Sequence, residues 1–251
     1  MTAITRDFDL AVFDTTCFWR SSTKIGRAVR QAMRMGIPIA LVRSHGKLDS
    51  VGIEYGRLGS VVLVTPTQDS RAAASRWISV LAPKIQDAVR LFGAAPIPAH
   101  FPPFESGEDY QVCSAMRTAS IIRNTRRLAH VLSSQLPTHG LTVFQHGLYL
   151  TIALNADACV DAIKRAAGEM AKQLAVDGFP VKRAGSFGFD FVAVEWCPDP
   201  IDRTHSIRIT GADLPLGLID EIGQRIAAWW LDQLAAHSDS ALALTDRKAA
   251  A

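Results

Sequence analysis

Two apolar runs, "FDLAVFD" (8–14) and "IPIALVRS" (37–44), constrain the fold more than anything else in the chain: one helix-length segment separates them, and each closes on a polar residue. A continuous apolar run of this length reads as a buried strand, and the polar residue at its end as a group delivered to the sheet edge. Between the runs, Ser21 or Ser22 is placed to cap a helix with Ile25, Ala28, Val29, Ala32 and Met33 on one face, which Gly36 and Pro38 end. Strand, helix, strand is a βαβ unit; it makes the two strands parallel and brings Asp14 and Ser44 to the same edge. "SVVLVTP" (60–66) adds a third strand.

Further along, Ala74, Trp77, Ile78, Leu81, Ile85 and Ala88 recur at helical spacing, which predicts a helix over 69–92, kinked or broken near Pro83. "GAAPIPAHFPPFESG" (93–107) then changes the composition and reads as a linker. Beyond it, Val112, Met116, Ala119, Leu128, Val131 and Leu132 predict a long helix over about 108–136, and "LTVFQHGLYLTIAL" (141–154) a strand. A helix carrying Val160, Ile163, Ala167, Met170 and Leu174 follows, then strand-like "FPVKRAGSFGFDFVAVEW" (179–196) and "SIRIT" (206–210). Ile219, Ile222, Ile226, Trp230 and Leu234 mark a last helix over roughly 215–236. The expected organisation is an α/β region over 1–107, a small α+β domain over 108–236, and a frayed tail over 237–251.

Composition matters here mainly for what it excludes. With 251 residues, 48% of them hydrophobic, the chain can bury a core, and a net charge of +3 with dispersed arginines does not describe a nucleic-acid surface. Arg123, Arg126 and Arg127 read as one solvated helix face. Cys17, Cys113, Cys159 and Cys197 have no metal-ligand or disulfide spacing, and no apolar run is long enough to span a bilayer. A cytoplasmic protein with no signal peptide, no membrane span and no metal is expected.

Gly46-Lys47 invites a test for a phosphate-cradling P-loop, which fails, since Leu41 stands where the first glycine is needed and Leu48 where Ser or Thr should follow the lysine. His139 and His146 lack ligand spacing and read as ordinary loop or strand histidines. What remains, in order, is Asp14, Ser44, Lys47 and Arg57, with Arg208 far downstream. A lysine just past a buried strand can form an imine with an aldehyde. An aspartate on the neighbouring strand end can hold a protonated ring nitrogen, and a serine with an arginine suits a phosphate. Those are the needs of pyridoxal 5′-phosphate.

"VFDTTC" (12–17), "SHGK" (44–47) and "GIEYGRLG" (52–59) together resemble the fold type I pyridoxal-phosphate enzymes, especially the aspartate-aminotransferase-like branch. The resemblance implies that Asp14 pairs with the pyridine nitrogen, that Lys47 is the Schiff-base lysine, and that Ser44 and Arg57 bind the phosphate. "GSFGFDF" (185–191) and "SIRITGADLP" (206–215) resemble the segments that hold the substrate α-carboxylate, with Arg208 as the bidentate contact. Cys17 stands where the family's aminotransferases often place a tyrosine against the ring oxygen; as a residue it reads as a small packed core cysteine. His45 is placed to stack or hydrogen-bond near the cofactor, or to serve the loop alone. Two extra residues separate Lys47 from Gly52 relative to the aminotransferase spacing.

The resemblance begins at Asp14 and covers only the C-terminal part of a family member, so the expected fold is a partial large-domain sheet plus the small domain. The absent part would supply the glycine-containing phosphate loop and the residue stacked on the ring. A sheet of so few strands leaves edges and apolar faces uncovered, which implies a second polypeptide carrying the missing half, or that the sequence is a fragment. The implied activity is that of one subunit of a split enzyme acting on an amino acid or amine, with transamination first. β- or γ-elimination, decarboxylation, a non-catalytic partner subunit and a cofactor-free α/β binding domain are the alternatives.

Overall fold

The computed structural model describes residues 10–18, 22–52, 58–66, 72–91, 108–137, 141–154, 160–198 and 205–249. The architecture is mixed α/β, with two sheets, and the chain divides into two compact units, Met1–Ala115 and Met116–Ala251. The division falls inside a helix. The proline-rich 93–107 segment lies outside the described residues.

In the first unit, β1 (Ala11–Asp14) and β2 (Ile39–Ser44) pair in parallel, with Asp14 opposite Val42, as the βαβ reading requires. The intervening α1 (Thr23–Met35) buries Ala32 and half-buries the rest of its apolar stripe. Gly36, at φ 63°, ends it: its N–H reaches Met33 O (2.9 Å) and that of Ile37 reaches Ala32 O (2.9 Å), a closure that calls for the left-handed conformation glycine adopts freely. β3 (Gly59–Val64) runs antiparallel to β2, Ser44 opposite Gly59, so β2 is central and β1 and β3 are edges. Val12, Val61 and Val62 are 60%, 46% and 51% exposed. Because alternate residues face opposite sides, Val12 and Val61 lie on one face of this sheet and Val62 on the other. The helix expected to bend or break at Pro83 is one unbroken element, α2 (Ala72–Leu91), with the proline in its interior.

α3 (Glu108–Gln135) is the long helix read from the sequence, but its apolar stripe is right only in the second half. Leu128, Val131 and Leu132 are buried, whereas Val112 and Met116 are exposed and Arg117, Thr118, Asn124 and Thr125 are buried instead. Specific bonds, which periodicity does not see, satisfy much of that polar burial, though Arg117 Nε has no partner among the described residues: Asn124 donates to the carbonyls of Ala212 (2.7 Å) and Leu214 (2.8 Å).

The second unit holds a five-stranded sheet in the order β4-β5-β8-β7-β6. The single strand expected over 141–154 is a hairpin of β4 (Leu141–Gln145) and β5 (Tyr149–Leu154). Gly147, at φ 87°, makes the turn possible, and His146 N–H donates to Tyr149 O (2.8 Å) across it. After α4 (Val160–Val176), the 179–196 stretch divides into β6 (Val181–Arg183) and β7 (Val192–Pro198), which pair in parallel, with Phe187 and Phe189 buried in the connection. β8 (His205–Thr210) lies between β5 and β7, antiparallel to both, and α5 (Leu216–Ala249) extends beyond the 215–236 span read from the sequence.

The core is built from Leu150, Ile152, Val192, Val194, Ile207 and Ile209 on the strands, against Leu128 and Leu132 of α3, Ile163, Met170 and Leu174 of α4, and Ile219, Ile222 and Ile226 of α5. No described helix is long and apolar enough to cross a membrane, and no group of described His, Cys, Asp and Glu residues is arranged to hold a metal.

Candidate functional site

Parallel pairing of β1 and β2 places the segments after Asp14 and after Ser44 side by side. Thr15 doubles the contact, its N–H (2.8 Å) and Oγ1 (3.1 Å) both donating to Val42 O. Thr16 then links the two strand ends, since its Oγ1 accepts from Ser44 N–H (3.0 Å) while its own N–H donates to Asp14 Oδ1 (2.9 Å). Asp14 is exposed, yet the hydrogen bonds from the Thr16 side chain and backbone, aided by the nearby charges of Lys47 and Arg43, hold its carboxyl below the ordinary aspartate range. It is ionised at neutral pH. Lys47 is half-buried in the turn that follows β2, and Ser50 Oγ donates to its carbonyl (3.0 Å).

The expected set is thus brought together in part. Asp14, Cys17, Ser44, His45 and Lys47 share one edge of the first sheet. Arg57 lies outside the described residues. Cys17 is exposed rather than packed in a core, because β1 has ended by then and the residue sits in a turn. Partial desolvation and the charge of Asp14 push its thiol up, against the opposing effect of Lys47, so it stays protonated and able to donate. Both ring nitrogens of His45 are engaged by the protein, Nδ1 with Asp49 Oδ2 (2.7 Å) and Nε2 with Ser60 Oγ (2.8 Å).

Arg208 belongs to the second unit. On β8 it is flanked in register by Thr151 and Glu195, on the sheet face opposite the buried Ile207 and Ile209, with its guanidinium 5.9 Å from the centre of the Tyr149 ring. His146 stacks on the same ring at 5.0 Å and meets Thr151 Oγ1 at 3.0 Å, an ordinary strand-edge histidine.

Sequence reasoning passed over Arg43, Asp49 and Tyr110. Arg43 donates through Nε (2.6 Å) and Nη2 to the two carboxylate oxygens of Asp49, and through Nη1 to the carbonyls of Thr15 (2.6 Å) and Phe18 (2.8 Å). Burial pushes the Asp49 carboxyl up, but Arg43 and His45 outweigh it and hold the group low. Tyr110 Oη donates to Asp49 O (2.6 Å). The turn leaves through Val51 at φ 51° and Gly52 at φ 91°. The signal available in the sequence was Arg43 itself: a guanidinium inside an otherwise apolar strand needs an acidic partner close by.

For pyridoxal phosphate, the described residues fit. An ionised carboxylate, an amine near enough to act on it electrostatically, and a serine meet at one sheet edge.

No family model and no curated protein matches the sequence. Solved structures do: cystathionine gamma-lyase from yeast (14% identity, TM-score 0.49, covering 88% of this chain and 55% of that one) and CalE6, a methionine gamma lyase from Micromonospora echinospora (16%, 0.49, 90% and 64%). A third is a putative O-acetylhomoserine (thiol)-lyase from Campylobacter jejuni subsp. jejuni, solved with N′-pyridoxyl-lysine-5′-monophosphate (13%, 0.46, 86% and 64%). The chain is similar to part of these structures over most of its own length, and spans 55 to 64% of theirs.

Proposed function

We propose that the chain is a subunit of a pyridoxal-phosphate-dependent enzyme acting on an amino acid or amine, with transamination as its reaction. The observation that carries this reading is the meeting of ionised Asp14 with Lys47 at the shared end of two parallel strands. Asp14 would hold the protonated ring nitrogen, and Lys47 would hold the aldehyde carbon through its amine. Ser44 and Arg57 would take the phosphate, Cys17 would face the ring oxygen, and Arg208 would take the substrate carboxylate. His45 braces the turn instead of offering a free ring nitrogen. When bound, the cofactor supplies an electron sink. Against that sink the Lys47 amine would move the proton at the substrate α-carbon.

Elimination and decarboxylation start from the same residues, and product analysis separates them from amino transfer. Uncovered valines on both faces of the first sheet support a second polypeptide that completes the site.

The test is incubation with pyridoxal phosphate, with the chain alone and co-expressed with the product of its neighbouring gene, followed by borohydride reduction and peptide mapping. Pyridoxyl modification at Lys47, with visible colour lost in Lys47→Ala, is the expected result. Colour that survives Lys47→Ala removes Lys47 from its role.

A further inference from the structure

We infer that Asp49 is a positioning residue of the candidate site: through Arg43 it braces the segment after Asp14 against the turn bearing Lys47, and so sets the separation of those two groups. The inference rests on the reading of Asp14 and Lys47 as a pair acting on one ligand. Groups that grip one rigid ring at two points must stand at a fixed distance, and side chains at the ends of turns hold such a distance only if the turns are themselves tied down.

The bonding pattern is that of a brace rather than a local ion pair. A pair needs only the guanidinium and the carboxylate, and here both Asp49 oxygens are taken by Arg43. The remaining nitrogen of Arg43 spans to the neighbouring segment, where it holds the carbonyls of Thr15 and Phe18 on either side of Thr16 and Cys17. Asp49 is also gripped from other directions. His45 Nδ1 lies 2.7 Å from Oδ2 while its Nε2 meets Ser60 on β3, and Tyr110 on α3 donates to the Asp49 carbonyl. Leu48, Asp49 and Ser50 are all buried, next to half-buried Lys47. Arg43 and Asp49 are 13% and 10% exposed, so little water competes for these bonds.

Carbodiimide treatment of the full chain with no cofactor present, followed by peptide mass spectrometry, reads how readily the Lys47 amine reaches the Asp14 carboxylate across the space a ring would fill, as the yield of a direct amide crosslink. In Asp49→Asn, which turns the charged acceptor into a neutral one, the yield is expected to fall about tenfold. Asp49→Glu, which keeps the charge, should retain roughly half of it or more. Tyr110→Phe removes one hydrogen bond and leaves the Arg43–Asp49 pair in place, so it is the milder variant for comparison; its yield should fall about twofold to threefold. Equal yields in wild type, Asp49→Asn and Tyr110→Phe overturn the inference, as does a wild type that forms no crosslink. Pyridoxal-phosphate attachment is measured separately. If wild type takes no cofactor while the crosslink yields follow the expected order, the cofactor reading fails and the brace stands.

Discussion

Asp14 and Asp49 are both carboxylates held low, the first exposed and bonded by Thr16, the second buried and bonded by Arg43 and His45. Their pH behaviour has the same sign. A carboxyl that titrates lower folded than unfolded contributes stability that is complete above its unfolded pKa and is lost as pH falls through the folded value. The first unit should therefore loosen in acid. For Asp14 the largest single cause is the Thr16 hydroxyl, so Thr16→Val should move the Asp14 midpoint upward, read by carboxyl NMR titration, while the Thr16 N–H keeps it below the ordinary aspartate value. A midpoint that does not move would show that the hydroxyl serves only Ser44.

Just past the end of β8, Gly211 stands close against Thr125 of α3. A Cβ added at Gly211 would stand 2.7 Å from Thr125 Oγ1 and 2.8 Å from Thr125 N, and backbone cannot swing aside as a long side chain can. Gly211→Ala should therefore cost about 1–3 kcal/mol, measured by denaturant unfolding. Much at this scale was legible beforehand. The apolar runs ending at Asp14 and Ser44, with a helix closed by Gly36, suffice for a parallel pair and for the edge that gathers Asp14, Ser44 and Lys47. The 141–154 hairpin was missed although Gln145, His146 and Gly147 interrupt the apolar run, because so short a polar break does not by itself separate a turn from the exposed side of one strand. The part of α3 before Leu128 was misread because Arg117, Thr118, Asn124 and Thr125 are buried there, and the partners of Arg117, Asn124 and Thr125 lie on distant segments. Asp49 was missed for a similar reason: alternation along β2 shows which side of the strand Arg43 takes, but not that the chain turns back to meet it.

At the level of the whole molecule, the described residues of the two units differ in how much apolar surface they hide. Among the described residues, the fully buried large side chains include Ile39 in the first unit, and Ile121, Leu128, Leu132, Leu150, Ile152, Ile163, Met170, Leu174, Ile207, Ile209, Ile219, Ile222 and Ile226 in the second. Each such side chain contributes about 1.5–3 kcal/mol, which favours the second unit. Amide hydrogen exchange should accordingly be slower in β7 and β8 than in β1, β2 and β3; equal protection would mean the first sheet is held by something other than its own core. Val51 sharpens the contrast. A branched residue in the left-handed region costs about 1–2 kcal/mol, and that cost falls in the less buried unit, at the exit of the turn that carries Lys47. In directed evolution, position 51 would be among the first to yield to selection by heat. The same relaxation would reshape the lysine turn, so libraries ranked by thermostability and by catalysis should part company there.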